Sequence, residues 1–197
     1  MKHTPRHTAT QALLQMEENE GYSNIVIDKA LRAAGLDARD AGLASTIFYG
    51  VLERRLPLEH FLRGCLSNPQ KKLDPQVWAL LLCAAYQILY LDRVPDSAAV
   101  NEAVEMTRRR GRPKAAGMVN AVLRRFVEHW MNMPDLPKGS TADYLSLRYS
   151  HPKWLVKRLQ AILGPETEAC LAADNAPAPL TIQVNPLKAA AEELTAE

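Results

Sequence analysis

Up to residue 130 the apolar residues recur at three- and four-residue spacing, the pattern of helices with one buried face. Thr4-Pro5 can open a first helix, with Pro5 in the tolerated first position and Ala9, Ala12, Leu13 and Met16 on one side. Ser23 can cap a second, which carries Ile27, Ala30, Leu31 and Ala34 and closes at Gly35. Asp37, with Asp40 three residues on, can cap a third that runs to about Arg54, its apolar side being Ala44, Ile47, Phe48, Val51 and Leu52. Pro57 opens a fourth, LEHFLRGCL, ended by the turn SNPQ. Asp74-Pro75 opens a fifth, which holds the longest apolar run, Val77 to Leu91, and ends before Pro95. A sixth runs from about Ser97 to Arg110 and stops at Gly111. A seventh runs from about Pro113 to Trp130 and turns Val119, Val122, Leu123, Phe126 and Trp130 inward.

No alternation of period two appears before residue 178, so the expected fold class is all-α, a bundle of about seven helices over residues 1–133. The pattern breaks at MNMPDLPKGS, where two prolines and a glycine within ten residues predict a linker, placed at 134–141. Residues 142–197 then hold Tyr144 to Ser150, a helix in HPKWLVKRLQAILG, a short helix over 165–174, a strand over Leu180 to Val184, and the helix-forming AAAEELTAE. A lone strand before an uncapped helix cannot bury a core of its own. This short α/β segment is therefore expected to be the incomplete start of a second domain.

Composition adds little: of 197 residues, 47% are hydrophobic and 23% charged, ordinary for a soluble globular chain. Val77 to Leu91 is too short to span a bilayer and contains Gln87, and MKHTPRHTATQ has no apolar leader, so no membrane association and a cytoplasmic location are expected. Cys65, Cys83 and Cys170 are far apart in apolar surroundings and match no metal spacing, so they read as buried structural thiols. His3 and His7 stand at i, i+4 spacing, but an exposed first turn explains them better than a metal pair, and no metal site is expected. Glu102 and Glu105, beside Asn101, suit a solvated face, and no cysteine lies near an evident histidine base. No catalytic residue emerges.

Charge changes the picture. The stretch TRRRGRPKAAGMVNAVLRR carries seven basic residues and no acid in a chain of net charge +2. Cations at a helix C-terminus suit the macrodipole, which accounts for one or two of Arg108, Arg109 and Arg110. It does not account for Arg112 and Lys114 in the turn, nor for Arg124 and Arg125 along the next helix. A phosphate backbone is the usual partner of such a surface, and the scarcity of aromatics favours phosphate contact over base stacking. Arg6 and Asn120 join these as expected RNA contacts. Residues 165–197 carry six acids against one lysine, so the basic character belongs to the first domain.

LDPQVWALLLCAAYQILYLDRVPDSAAVNEAVEMTRRRG, followed by MVNAVLRR, resembles the core of the NusB-type RNA-binding fold over about residues 4–130. SLRYSHPKWLVKRL and LAADNAPAPLTIQVNPLK are similar to the segment that joins a NusB-like domain to the catalytic region of ribosomal RNA small-subunit cytosine-C5 methyltransferases. Ser150-His151-Pro152 with Trp154, Asn175 with Pro177 and Pro179, and Val184-Asn185 carry that likeness. The resemblance implies methyl transfer from S-adenosylmethionine to C5 of a cytosine, with one cysteine adding to C6 and a second assisting release. The family's Pro-Cys and Thr-Cys pairs and its glycine-rich cofactor loop lie beyond residue 197. Cys65, Cys83 and Cys170 follow Gly64, Leu82 and Ala169 and fit neither pair.

The chain is thus expected to supply small-subunit ribosomal RNA docking. It should bind no cofactor, be inactive alone, and contact a catalytic domain of the same protein. A protein partner on the bundle is a further expectation. The competing readings are a free-standing NusB-like antitermination factor and a protein-interaction bundle whose basic loop meets an acidic partner. Asn101 and Asn120 belong to the shared motif, and Trp130 and Trp154 are expected in core or inter-domain packing.

Overall fold

The computed structural model describes residues 4–19, 21–130, 141–178, 183–185 and 188. The first part is built from α1 (Pro5–Asn19), α2 (Ser23–Ala34), α3 (Ala38–Glu53), α4 (Arg55–Gly64), α5 (Pro75–Tyr90), α6 (Asp96–Arg109) and α7 (Ala116–Trp130). A tight turn of 3-10 helix, Pro113–Ala115, leads into α7. The second part is α8 (Ala142–Tyr149), α9 (Lys153–Leu163) and α10 (Thr167–Asp174). No strand occurs among the described residues. Gln183 to Asn185 are irregular, while Leu180 to Ile182 of the expected strand, the linker residues 134–140 and the closing AAAEELTAE lie outside the described residues.

Several helix ends obey their local chemistry. The Asp37 carboxylate accepts from the Asp40 amide at 2.7 Å and caps α3. The Asp74 carboxylate accepts from Gln76 at 3.0 Å, with Pro75 in the first turn of α5. Gly35 closes α2 at φ 59°, the left-handed conformation that favours glycine. Other ends differ from expectation. Ser23 is the first residue of α2, and Tyr22 takes the cap position with no side-chain bond. Helix α4 starts at Arg55, so Pro57 lies inside its first turn, where a missing N–H costs no helical bond. Tyr144 to Ser150 were given no conformation by the apolar pattern. Tyr144 to Tyr149 fall in α8 and Ser150 follows its end; the Thr141 hydroxyl caps its start, accepting from the Tyr144 amide at 3.3 Å.

Helix α5 is apolar on all sides, and it takes the only place such a helix can hold, the centre. Ten of its 16 residues are buried, and α1, α3, α4, α6 and α7 pack around it. Its one buried polar side chain is Gln87, 2% exposed. Gln87 donates from Nε2 to the Cys83 carbonyl at 2.8 Å and accepts from Arg6 Nε at 2.5 Å. Arg6 also pairs with Glu102 at 2.9 Å, and the Thr4 hydroxyl donates to the same carboxylate at 3.2 Å. The start of α1 is thereby tied to both α5 and α6. On another side of α5, Gly50 of α3 lies under the Tyr86 ring, so close that a Cβ there would stand 2.0 Å from Tyr86 Cζ.

The second part has a small core of Leu145, Val156 and Leu171. Its corner is Ser150-His151-Pro152. Ser150 caps α8 at φ 57°, a strained backbone for a residue other than glycine. Its hydroxyl accepts from the Leu56 amide at 3.4 Å, where α8 packs on α4. His151 Nδ1 donates to the Tyr149 carbonyl at 2.7 Å, and Asn175 Nδ2 donates to the same carbonyl at 2.9 Å.

Two outcomes follow from this packing. Gly50→Ala drives a methyl into the Tyr86 ring and should cost about 3 kcal/mol, read as a lower urea midpoint with unchanged slope. Burial pushes the Cys83 thiol up to about 12, against weaker opposing effects of the Thr10 hydroxyl and Arg110. Cys65 is raised by burial as well, and Cys170 is partly exposed. Iodoacetamide at neutral pH should therefore label Cys170 in the native protein, while Cys65 and Cys83 react only after unfolding.

Candidate nucleic-acid interface

The fold divides the basic residues of the sequence into two sets. One set has partners elsewhere in the bundle, Arg6 and Arg110 turned inward and Arg112 and Arg125 still exposed. Arg6 is turned inward onto Gln87 and Glu102, with its side chain 18% exposed. Arg110 is half-buried, and its Nη2 stands 3.2 Å from both ring nitrogens of His7, at the seam of α1 and α6. Burial lowers the Arg110 pKa from the usual arginine value, an effect that Cys83 opposes. Arg112 reaches 38 residues back in the chain to Asp74, Nε to Oδ2 at 2.9 Å. Arg125 Nη1 donates to the Cys65 carbonyl at 3.3 Å, which places it beside the end of α4.

The other set is Arg108, Arg109, Lys114 and Arg124: Arg108 and Arg124 line an open groove between α6 and α7, and Arg109 lies on the side of α6 that faces Thr4 and His7. Near the turn, Asn101, Val104, Glu105, Arg108, Ala116, Gly117 and Asn120 line a cavity of about 520 Å³. Toward the start of α6, a second cavity of about 430 Å³ shares Asn101 and adds Asp96, Ser97, Val100, Arg124, Val127 and Glu128. Arg108 and Arg109 both lean on Glu105, at 3.7 and 3.0 Å, yet their side chains remain 60% and 64% exposed. Lys114 is exposed in the turn with no ion pair to any described residue. Asn120 Oδ1 accepts from Arg124 Nε at 3.2 Å and so holds this guanidinium at the groove edge. The charge is graded: cations crowd the turn end, Arg124 sits midway, and Asp96 and Glu128 mark the far end.

Sequence reasoning found the cations but missed what shapes them. Glu105, at three and four residues before Arg108 and Arg109, carried a readable helical-pair signal. The partnership of Asp74 with Arg112 carried none, since nothing local links the two. His7 is drawn to Arg110, while His3 lies outside the described residues, and no cluster among the described residues has the make-up to hold a metal ion. Trp154, expected in core or inter-domain packing, is not in the core of the described residues, being 68% exposed. The side chain of Trp130 lies outside the described residues.

This helical bundle with a basic groove was compared with known proteins. The NusB family model matches residues 3–128. The chain belongs to the NusB family. In this NusB-family chain, a ferredoxin-like domain of the RsmF/B-like methyltransferase type is matched over residues 151–197. The chain is 34% identical over 194 residues to a probable ribosomal RNA small subunit methyltransferase B of Bacillus subtilis, covering 98% of this chain and 43% of that protein. It is 34% identical over 181 residues to ribosomal RNA small subunit methyltransferase B of Pseudomonas putida, covering 92% and 40%. The probable counterpart from Synechocystis is 31% identical, covering 96% and 42%. The chain thus spans less than half the length of the curated relatives it matches. The crystal structure of PH0851 shares the fold at a TM-score of 0.70 and 22% identity, over 100% of this chain and 44% of that one.

The Asp74–Arg112 pair predicts an acid-sensitive turn. Burial raises the Asp74 pKa, but Arg112 and the amides of Gln76 and Val77 outweigh it and leave the carboxyl below its ordinary value. A depressed carboxyl stabilises the fold fully above its unfolded value, about 3.9, and loses that contribution as pH falls through the folded value. Asp74→Asn retains a capping oxygen and removes the ion pair. Urea titrations between about pH 5 and about pH 2 should show the wild type losing a component of stability that Asp74→Asn lacks.

Proposed function

We propose that this chain is the RNA-docking region of an S-adenosylmethionine-dependent methyltransferase that modifies C5 of a cytosine in small-subunit ribosomal RNA. The observation that carries the reading is the α6–α7 groove. There Arg108 and Arg124 line the groove, Lys114 is exposed in the adjoining turn and Arg109 on the neighbouring side of α6, while Arg6 and Arg110 are turned into the bundle. Exposed guanidinium and ammonium groups around an open, polar-edged groove suit a phosphate backbone. The relatives' names as ribosomal RNA small subunit methyltransferases support the class of RNA. No described helix is long and apolar enough to cross a membrane.

The chain's own part in that reaction is to bind and orient. Phosphate contacts fix register and carry little sequence information, so the groove positions an RNA whose target base is handled elsewhere. S-adenosylmethionine supplies the methyl group when bound. The described residues contain no glycine-rich loop on a parallel sheet, and none is assigned to hold it. A docking surface joined to a catalytic region raises the local concentration of RNA at that region, and this is the physical reason to join the two.

The test is the salt dependence of affinity for a fluorescein-labelled 16S-type RNA. Four phosphate contacts predict that log K falls against log salt with a slope of about −3. Replacing Arg108, Arg109, Lys114 and Arg124 by glutamine should weaken binding by at least about tenfold and flatten that slope, with circular dichroism unchanged. A flat slope in the wild type, or unchanged affinity in the variant, overturns the groove as the docking site.

A further inference from the structure

Helix α9 lies in the second part of the chain and takes no part in the groove. Its sequence, KWLVKRLQAIL, holds three basic residues and no acid. Val156 is its buried anchor in the small core, and Leu159 packs on that core. The opposite side is open. Trp154 and Ile162 are each 68% exposed, and Lys157 and Arg158 lie at the surface between them. Neither Lys157 nor Arg158 has an ion pair with any described residue, whereas Lys153 is held by Asp143 at 2.5 Å. Trp154, Arg158 and Ile162 are four residues apart, so they follow one another along a ridge at steps of about 6 Å.

A large indole left in water is unfavourable, and here nothing described covers it. The two α9 cations beside it without an ion pair to a described residue are Lys157 and Arg158. An acidic protein surface can meet the lysine and arginine, but it gives no special use to a flat π-face. Single-stranded nucleic acid uses both at once: a base stacks on the ring while its phosphates meet the cations.

We propose that the α9 ridge is a second RNA contact, on which Trp154 stacks an unpaired base while Lys157 and Arg158 hold the adjoining phosphates. The inference rests on the RNA-docking reading for its class of ligand. It adds base stacking, which the aromatic-poor groove does not offer. It also gives Trp154 a role that core packing does not.

The experiment measures binding of the 197-residue chain to a labelled single-stranded RNA of mixed sequence, by fluorescence anisotropy. Trp154→Ala should weaken binding by about tenfold, within the range of stacking on one base, while Trp154→Phe retains most of the affinity. Because the side chain is exposed, both variants should keep the native circular dichroism. Lys157→Gln with Arg158→Gln should make the salt slope shallower by about 1.4, the value for two single-strand phosphate contacts. Trp154→Ala with wild-type affinity overturns the ridge even if the groove variant has lost binding. Loss in Trp154→Ala while the groove variant binds normally supports the ridge and removes the groove. No binding by the wild type removes both. Equal loss in Trp154→Ala and Trp154→Phe, or a salt slope unaltered by the double variant, also overturns stacking with flanking phosphate contacts.

Discussion

The bundle is organised by the need to cover a helix that has no polar side. A 16-residue segment with ten buried positions cannot lie on a surface, so α5 must be enclosed, and five other helices are arranged by that demand. Enclosure brings its own constraint: any polar group on α5 must find its partner inside. Gln87 does so through its own helix and through Arg6. Arg6 is in turn held by Glu102 on α6. A buried amide left without that partner would carry the full cost of desolvation, which makes the start of α1 part of the packing rather than a loose end.

The same demand explains how one run of arginines acquires two kinds of work. Arg110, at the end of α6, is drawn into a half-buried contact with His7, and Arg112 of the turn pairs at the surface with Asp74. Arg108 faces the groove, Arg109 the other side of α6, and both keep their exposure. Glu105 moderates rather than cancels the charge, since two guanidinium groups share one carboxylate. The positive end of the groove is what remains after the fold has taken the cations it needs. Surface pairs of this kind contribute little to stability, so their groups stay available to other partners.

The helices and most of the core were legible because each sequence signal had a local cause. Asp37, Asp74 and Gly35 act within a few residues of where they stand, and Ala9, Ala12 and Leu13 lie on the buried side their spacing requires. The resemblance to the NusB-type fold likewise rested on contiguous stretches. The candidate site was less legible, since whether a cation is free depends on residues far off in the chain. Arg112 and Asp74 are 38 positions apart, and Arg6 and Gln87 are 81 apart. Helix α8 was missed because its apolar pattern is short, although Thr141 marked its start. The exposure of Trp154 was not legible because it depends on which elements lie beside α9, not on spacing within it.

Ser150 joins the two parts of the chain in a way that composition would not suggest. A glycine would occupy φ 57° without strain, yet the position holds a serine whose hydroxyl meets the first turn of α4. The helix end and the seam between α4 and α8 are therefore made by one residue. Helix α8 is thereby seated on α4, and α9 in turn packs on α8. A change at Ser150 therefore disturbs a helix terminus and the contact between two helices together.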